Sequence, residues 1–219
     1  MLESSRRPLT PAEQRLLGAK IRDLESRLRR GPKVLIPGGA VLVILWALTL
    51  IVSGSSWLIV TSFWIVVGTG ILVWVGHDLK KDLGILRDML GEYESARRRN
   101  EAEVFEVKAR AFAEFEELED EGACYAFEIA GNRLVFVLGQ EFYPQAKFPS
   151  HDFSLVYVLN ERGGPVDMVI EKRGPKAPPA RTISAAAKLE LEVPEHLEVF
   201  NGKLSRIEDL LSSAHRGSG

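Results

Sequence analysis

Residues 50–60 read LIVSGSSWLIV, four small residues set between two apolar blocks in the middle of a run, Val34 to Gly76, that holds no charged side chain. A bilayer core about 30 Å thick is crossed by roughly 20 apolar helical residues, because each residue rises about 1.5 Å. One straight helix over the whole run would be about 60 Å long, twice what the hydrocarbon requires. The stretch is therefore read as a reversal. Ser53 to Ser56 (53–56) turn a first span, Val34 to Val52 (34–52), into a second, Trp57 to Val75 (57–75), giving a transmembrane helical hairpin over 34–76. Helices satisfy every backbone group inside lipid, as a membrane span must. A pair of core helices in a soluble protein would carry a polar edge, and neither block has one.

The charges around the run set its orientation. Averaged over 219 residues the chain is 46% hydrophobic, with net charge -2 and mean hydropathy -0.01, values typical of a soluble protein. The averages conceal segregation: residues 1–33 carry +5, 34–76 nothing, and 77–219 carry -7. Arg29, Arg30 and Lys33 precede the hairpin and Lys80 and Lys81 follow it, whereas the SGSS turn is uncharged. By the positive-inside rule both termini are cytoplasmic, and these five cations are the candidate contacts to the membrane surface. The 33 residues ahead of the apolar run argue against a cleaved signal peptide. The single Cys124 cannot close an internal disulfide, which fits a reducing compartment. Among compartments facing the cytosol, a bacterial inner membrane is the simplest.

Inside the spans, Trp57 and Trp74 fall where interfacial anchors belong, and Trp46 and Trp64 lie deeper. No Asp, Glu, Lys, Arg or His interrupts either span, and such groups are what mark ion paths and proton relays. The hairpin is thus read as an anchor, and transport by this chain alone is disfavoured. Gly38, Gly39, Gly68 and Gly70 would allow close helix approach, although no strict GxxxG is present.

Both flanks read as helical. Thr10 to Glu13, TPAE, is a capping box with Pro at the first helical position. Leu17, Ile21, Leu24 and Leu28 then form a narrow apolar stripe on a basic amphipathic helix over 1–33. That stripe either lies on an anionic leaflet or packs on another helix of the chain. After the second span, Leu79, Leu83, Leu86, Leu90 and Tyr93 continue a three-four spacing that resumes at Val104, Val107, Ala111 and Leu118. This is read as a helical stalk over 77–121 whose coiled-coil-like seam is a candidate for self-association into a homo-oligomer. The seam breaks at Arg97 and Asn100, and Gly84 and Gly91 weaken it. Six acids in EFEELEDE, 114–121, lack the ligand pattern of a calcium loop and read as a solvated face.

From Cys124 the apolar period changes to two. Tyr125, Phe127 and Ile129, the turn Gly131-Asn132 and RLVFVL predict a β-hairpin. Further strands are expected at 153–159, 166–172 and 188–193, with a closing helix at 205–214 capped by Ser205 and Glu208, and a loose tail at 215–219. The sequence therefore describes an α+β membrane protein. A transmembrane hairpin flanked by amphipathic helices is followed by a small antiparallel β-rich domain over 122–214, a sheet or partly open barrel on the cytoplasmic side.

Chemistry is sparse. His151, Asp152 and His196 would form a metal or acid-base site if the fold brought them together, but no ligand spacing supports them. No phosphate-binding glycine loop and no broad basic face with interleaved aromatics occurs, so neither nucleotide nor nucleic acid is expected as a partner. No cofactor and no catalytic constellation is expected. Phe142, Tyr143 and Phe148 in EFYPQAKF form a candidate protein-interaction patch. The leading expectation is a membrane-anchored, non-catalytic scaffold or adaptor whose β-rich domain meets a protein partner. The alternatives are a membrane-bound enzyme or metal-dependent regulator using the His151, Asp152 and His196 region, and a homo-oligomeric pore subunit.

Overall fold

A computed structural model describes residues 2–53 and 57–215. Apart from Ser53, the expected SGSS turn lies outside the described residues, as does the tail beyond His215. The fold is α+β, with a long helix and a mainly antiparallel sheet. The chain divides into two compact units: a helical one, Leu9–Asn100 with Asn160–Val166, and a β-rich one comprising Met1–Pro8, Glu101–Leu159 and Asp167–Gly219.

In the helical unit, α1 (Pro11–Arg30) begins at the expected capping box, with the Thr10 hydroxyl accepting from the Glu13 amide and the Glu13 carboxylate accepting from the Thr10 amide. A 3-10 turn at Gly31–Val34 leads into α2 (Leu35–Ser53), and α3 runs from Trp57 to Arg99. At 43 residues α3 is about 64 Å long. Its first half is the apolar segment, and among the described residues it is the one helix long and apolar enough to cross a membrane; α2 offers a shorter apolar stretch, Pro37–Ile51.

Three contacts fix how α1 meets α3. Gln14 donates to Asn100, Lys20 lies over the Tyr93 ring, and a Cβ on Gly31 would touch the Leu83 side chain at 2.8 Å. Residue numbers rise along one helix as they fall along the other, so the pair is antiparallel. That register sets Leu17, Ile21 and Leu24, all buried, along the face of α3 that carries Ala96, Tyr93 and Leu90. The α1 stripe is therefore an internal packing face, and the Leu79 to Tyr93 part of the proposed oligomer seam is the surface that receives it.

The β-rich unit corrects the expected stalk. The helix stops at Arg99, where Asn100 takes the left-handed conformation (φ 53°) that Asn tolerates better than most residues. Residues 101–115 are a strand, β2 (Glu101–Phe115), so Val104, Val107 and Ala111 belong to a sheet and Leu118 to a loop. The first residues also depart from expectation, since β1 (Ser4–Pro8) pairs antiparallel with β2. A bulge between Ala109 and Ala111 lets β2 serve two neighbourhoods. Its first half lies between β1 and β5 (Asp152–Leu159), and its second half between β3 (Ala123–Ile129) and the short parallel strand β7 (Arg181–Ile183). The order is β6-β5-β2-β3-β4-β8, with β4 at Arg133–Gly139, β6 at Pro165–Lys172 and β8 at Val199–Asn201.

The sheet encloses one aromatic core in which Phe112, Tyr125, Phe127, Phe142, Phe148 and Phe153 are fully buried. A second core on the outer face of β3 and β4 packs Phe115, Cys124 and Phe136 under Ile207 and Leu211 of α5 (Ile207–His215). Two buried faces explain why RLVFVL is apolar almost throughout. The hairpin turn forms as expected, with Gly131 and Asn132 both at positive φ. The strand expected at 188–193 is absent: Ser184 caps a single helical turn, α4 (Ala185–Lys188), and a 3-10 turn at Leu204–Arg206 replaces the expected Ser205 cap of the last helix.

Candidate functional site

The residues offered for chemistry have separate partners. His151 sets its ring edge against Phe112, and Asp152 lies 3.9 Å from the Arg173 guanidinium with no hydrogen bond to its Oδ1. His196 stacks on Phe142 at 5.1 Å, and its Nδ1 accepts from the Leu138 amide at 3.1 Å. With Nδ1 an acceptor, the neutral ring carries its hydrogen on Nε2, which donates to the Tyr157 hydroxyl at 2.5 Å. Burial holds His196 below the usual imidazole range and pushes Tyr157 up to about 12. This pair ties β4 and β5 to the segment before β8. Among the described residues, no group of three His, Cys, Asp or Glu is placed to hold a metal ion. Burial also drives the Cys124 thiol up to about 12, which suits a packed side chain rather than a nucleophile.

Of the candidate interaction patch, only Tyr143 reaches the surface. Phe142 and Phe148 are fully buried in the aromatic core, and Tyr143, 40% exposed, spends its hydroxyl on the Glu117 carboxylate. The acidic run 114–121 is likewise structural. Glu116 accepts from the Ala185 amide at the start of α4, Glu117 from the Gly122 amide, and Glu121 from the Leu118 amide and the buried Lys188 ammonium.

Three groups of basic residues stand on the helical unit. Arg98 is paired with Glu161 at 2.8 Å, and Arg99 donates to the carbonyls of Asn160 and Glu161, so both are engaged with the β5–β6 loop. Asn160, in that loop, also donates to Glu92 of α3 at 2.6 Å. A second group, Arg29, Arg30 and Lys33, is exposed at the end of α1. Because Gly31 packs against Leu79 and Leu83, it stands level with exposed Lys80 and Lys81, and the five cations form a collar where the apolar segments begin. The third group was not singled out in the sequence. Arg15, Arg22 and Arg97 line a recess of about 610 Å³ at the opposite end of α1, together with Leu9, Gln14 and Asn100, and among the described residues no acidic one lines it. The spacing of seven between Arg15, Arg22 and Arg29 was a visible signal; the arrival of Arg97 required the α1–α3 register.

Along α2 and the first half of α3 most side chains are apolar and many large ones are exposed, including Ile51 at 78%, Ile59 at 69% and Val66 at 73%. Where the two helices meet, Trp46 donates to the Thr61 hydroxyl at 3.3 Å, and Gly39 and Gly68 line a shallow apolar groove. Compared with family models, with curated proteins and with solved structures, the chain matches none.

Proposed function

We propose that this chain is an integral membrane protein of two spans, α2 and the first half of α3, with both termini in the cytoplasm of a bacterial cell. In this reading it is a non-catalytic adaptor that holds its β-rich unit beside the membrane for a protein partner. The observation that carries the proposal is the number of large apolar side chains exposed over both helices. Scattered exposed apolar groups are ordinary, but a contiguous surface of this kind is stable only when covered. Two features support lipid as the cover. The first 20 residues of α3 span about 30 Å, and Trp57 and Trp74 stand about 26 Å apart along them, near a hydrocarbon thickness. The five-cation collar marks one end of the apolar zone, where anionic headgroups would meet it.

The β-rich unit is the part left for partner binding. The chain passes between it and the helical unit four times, after Pro8, Asn100, Leu159 and Val166, so it is tied to the anchor by more than one chain connection. Tethering of this kind raises the effective concentration at any partner in the same membrane. The experiment is to purify the full chain from its native membrane after alkaline carbonate washing and to weigh the complexes by native mass spectrometry. Retention through the wash with a stoichiometric protein partner is expected. Release by carbonate refutes the anchor, and a monomer that carries no partner and turns over a small molecule refutes the adaptor.

A further inference from the structure

We propose that the recess lined by Arg15, Arg22 and Arg97 binds a small phosphorylated anion carrying two or more negative charges. The three arginines come from two antiparallel helices and line one concavity whose described lining includes no carboxylate. Three neighbouring cations on these helices are engaged elsewhere: Arg27 pairs with Asp23 at 2.8 Å, Arg98 with Glu161, and Arg99 with loop carbonyls. Arg97 is thus the one member of the Arg97 to Arg99 cluster that turns to the recess.

Local sequence shapes the concavity. A Cβ on Gly18 would lie 3.4 Å from the Arg22 guanidinium, so Arg22 folds back over the bare glycine, which itself lines the recess. Gln14 is held by its hydrogen bonds to Asn100 and Leu9, and Leu9 is 5% exposed, so the floor is fixed. The volume falls within the roughly 300–1,000 Å³ usual for small-molecule sites. Guanidinium forks match phosphate oxygens in pairs, and three of them call for more charge than one carboxylate carries.

Phosphate of this kind has two sources, a soluble phosphorylated compound or a phospholipid headgroup. On the membrane reading above, Arg22 and Arg15 stand about 16 and 27 Å along α1 from Lys33, beyond a Debye length of about 8 Å from the collar. That favours the soluble source, and only this choice of source rests on that reading.

The test uses the full chain in nanodiscs of uncharged phosphatidylcholine, titrated with inorganic pyrophosphate by calorimetry at low salt. Binding is expected, weakened at least about tenfold by R15Q, R22Q or R97Q, less by the matching lysine variants, and under about twofold by R29Q/R30Q. A parallel arm counts phosphatidylglycerol retained by each purified variant using native mass spectrometry. If pyrophosphate does not bind but R15Q, R22Q and R97Q each lose retained lipid, the phosphate is a headgroup. Absence of both effects, or pyrophosphate binding that none of the three glutamine variants alters, overturns the site. The lysine variants keep the charge and the exposed positions, so a folding defect cannot mimic graded loss.

Discussion

Acidification should loosen the β-rich unit through His196. Protonating its Nδ1 would set a new N–H against the Leu138 amide, donor facing donor, in a ring stacked on Phe142. Burial depresses the folded-state value, so as pH falls through about 6.5 the unfolded chain takes up the proton first. Stability is then fully present above that pH and falls below it, by at most about 1.4 kcal/mol per pH unit. Between pH 7.5 and 5.5 the loss reaches about 1.4 kcal/mol if the folded ring stays neutral throughout. With a urea dependence of about 2 kcal/mol per molar, the midpoint moves down by about 0.7 M. All four Trp residues lie in α2 and α3, so their fluorescence does not report on this unit. Cys124 does: it is the chain's only thiol, 2% exposed in the second core, and reacts when the unit opens. The assay is urea-dependent labelling of Cys124 by a dipyridyl disulfide in the full chain in mild detergent, at both pH values. His196→Asn supplies an amide oxygen for Leu138 without a titration, and its pH-dependent shift should be smaller by that amount. An equal shift in wild type and variant, or a wild type that gains stability on acidification, would refute the reasoning.

Other perturbations follow from the same structure. Gly122→Ala should cost about 3 kcal/mol in the Cys124 assay, because the residue sits at φ 92° and its Cβ would lie 2.4 Å from the Gly139 backbone. Glu121→Gln leaves the buried Lys188 ammonium without its ion pair and should cost about 1 kcal/mol at neutral pH, discounted because Glu121 itself is 42% exposed. Burial pushes the Glu121 carboxyl up, but Lys188 and the Leu118 amide outweigh it and hold it below the usual range, so this contribution is present above about pH 4.5 and disappears as pH falls further. Thr61→Val removes the acceptor for Trp46 and should weaken α2–α3 association by about 0.6 kcal/mol, read as increased separation of the two helices by distance-dependent fluorescence transfer in detergent.

What the sequence made legible was what local chemistry decides. The capping box at Thr10, the α1 stripe, the apolar run and the Gly131-Asn132 hairpin each depend on neighbours a few residues away, and each recurs in the fold. The stretch EAEVFEVKARAFAEF misled because a strand with a bulge imitates a heptad. Phe105, Val107 and Ala109 point into the aromatic core, the bulge slips the phase by one, and Phe112 continues it. Val104 and Val107, three apart, therefore lie on opposite faces of a strand, although they read as neighbours on a helix. β1, β7 and β8 were not legible because each is a short strand whose identity comes from its partner's hydrogen bonds. The same holds for the arginine recess: Arg15 and Arg22 share a helix face, but Arg97 joins them only through the pairing of α1 with α3.

Cysteine accessibility in sealed vesicles decides whether the proposed membrane hairpin has both ends on one side. Cys124 is buried, so single cysteines introduced as Glu25→Cys, Ser55→Cys and Asp78→Cys in the full chain carry the signal of an impermeant thiol reagent. A two-span hairpin with cytoplasmic termini leaves the first and third labelled only in inside-out vesicles and the second only in right-side-out ones. Labelling of Glu25→Cys and Asp78→Cys from opposite faces, or of all three from the cytoplasmic face, would contradict it.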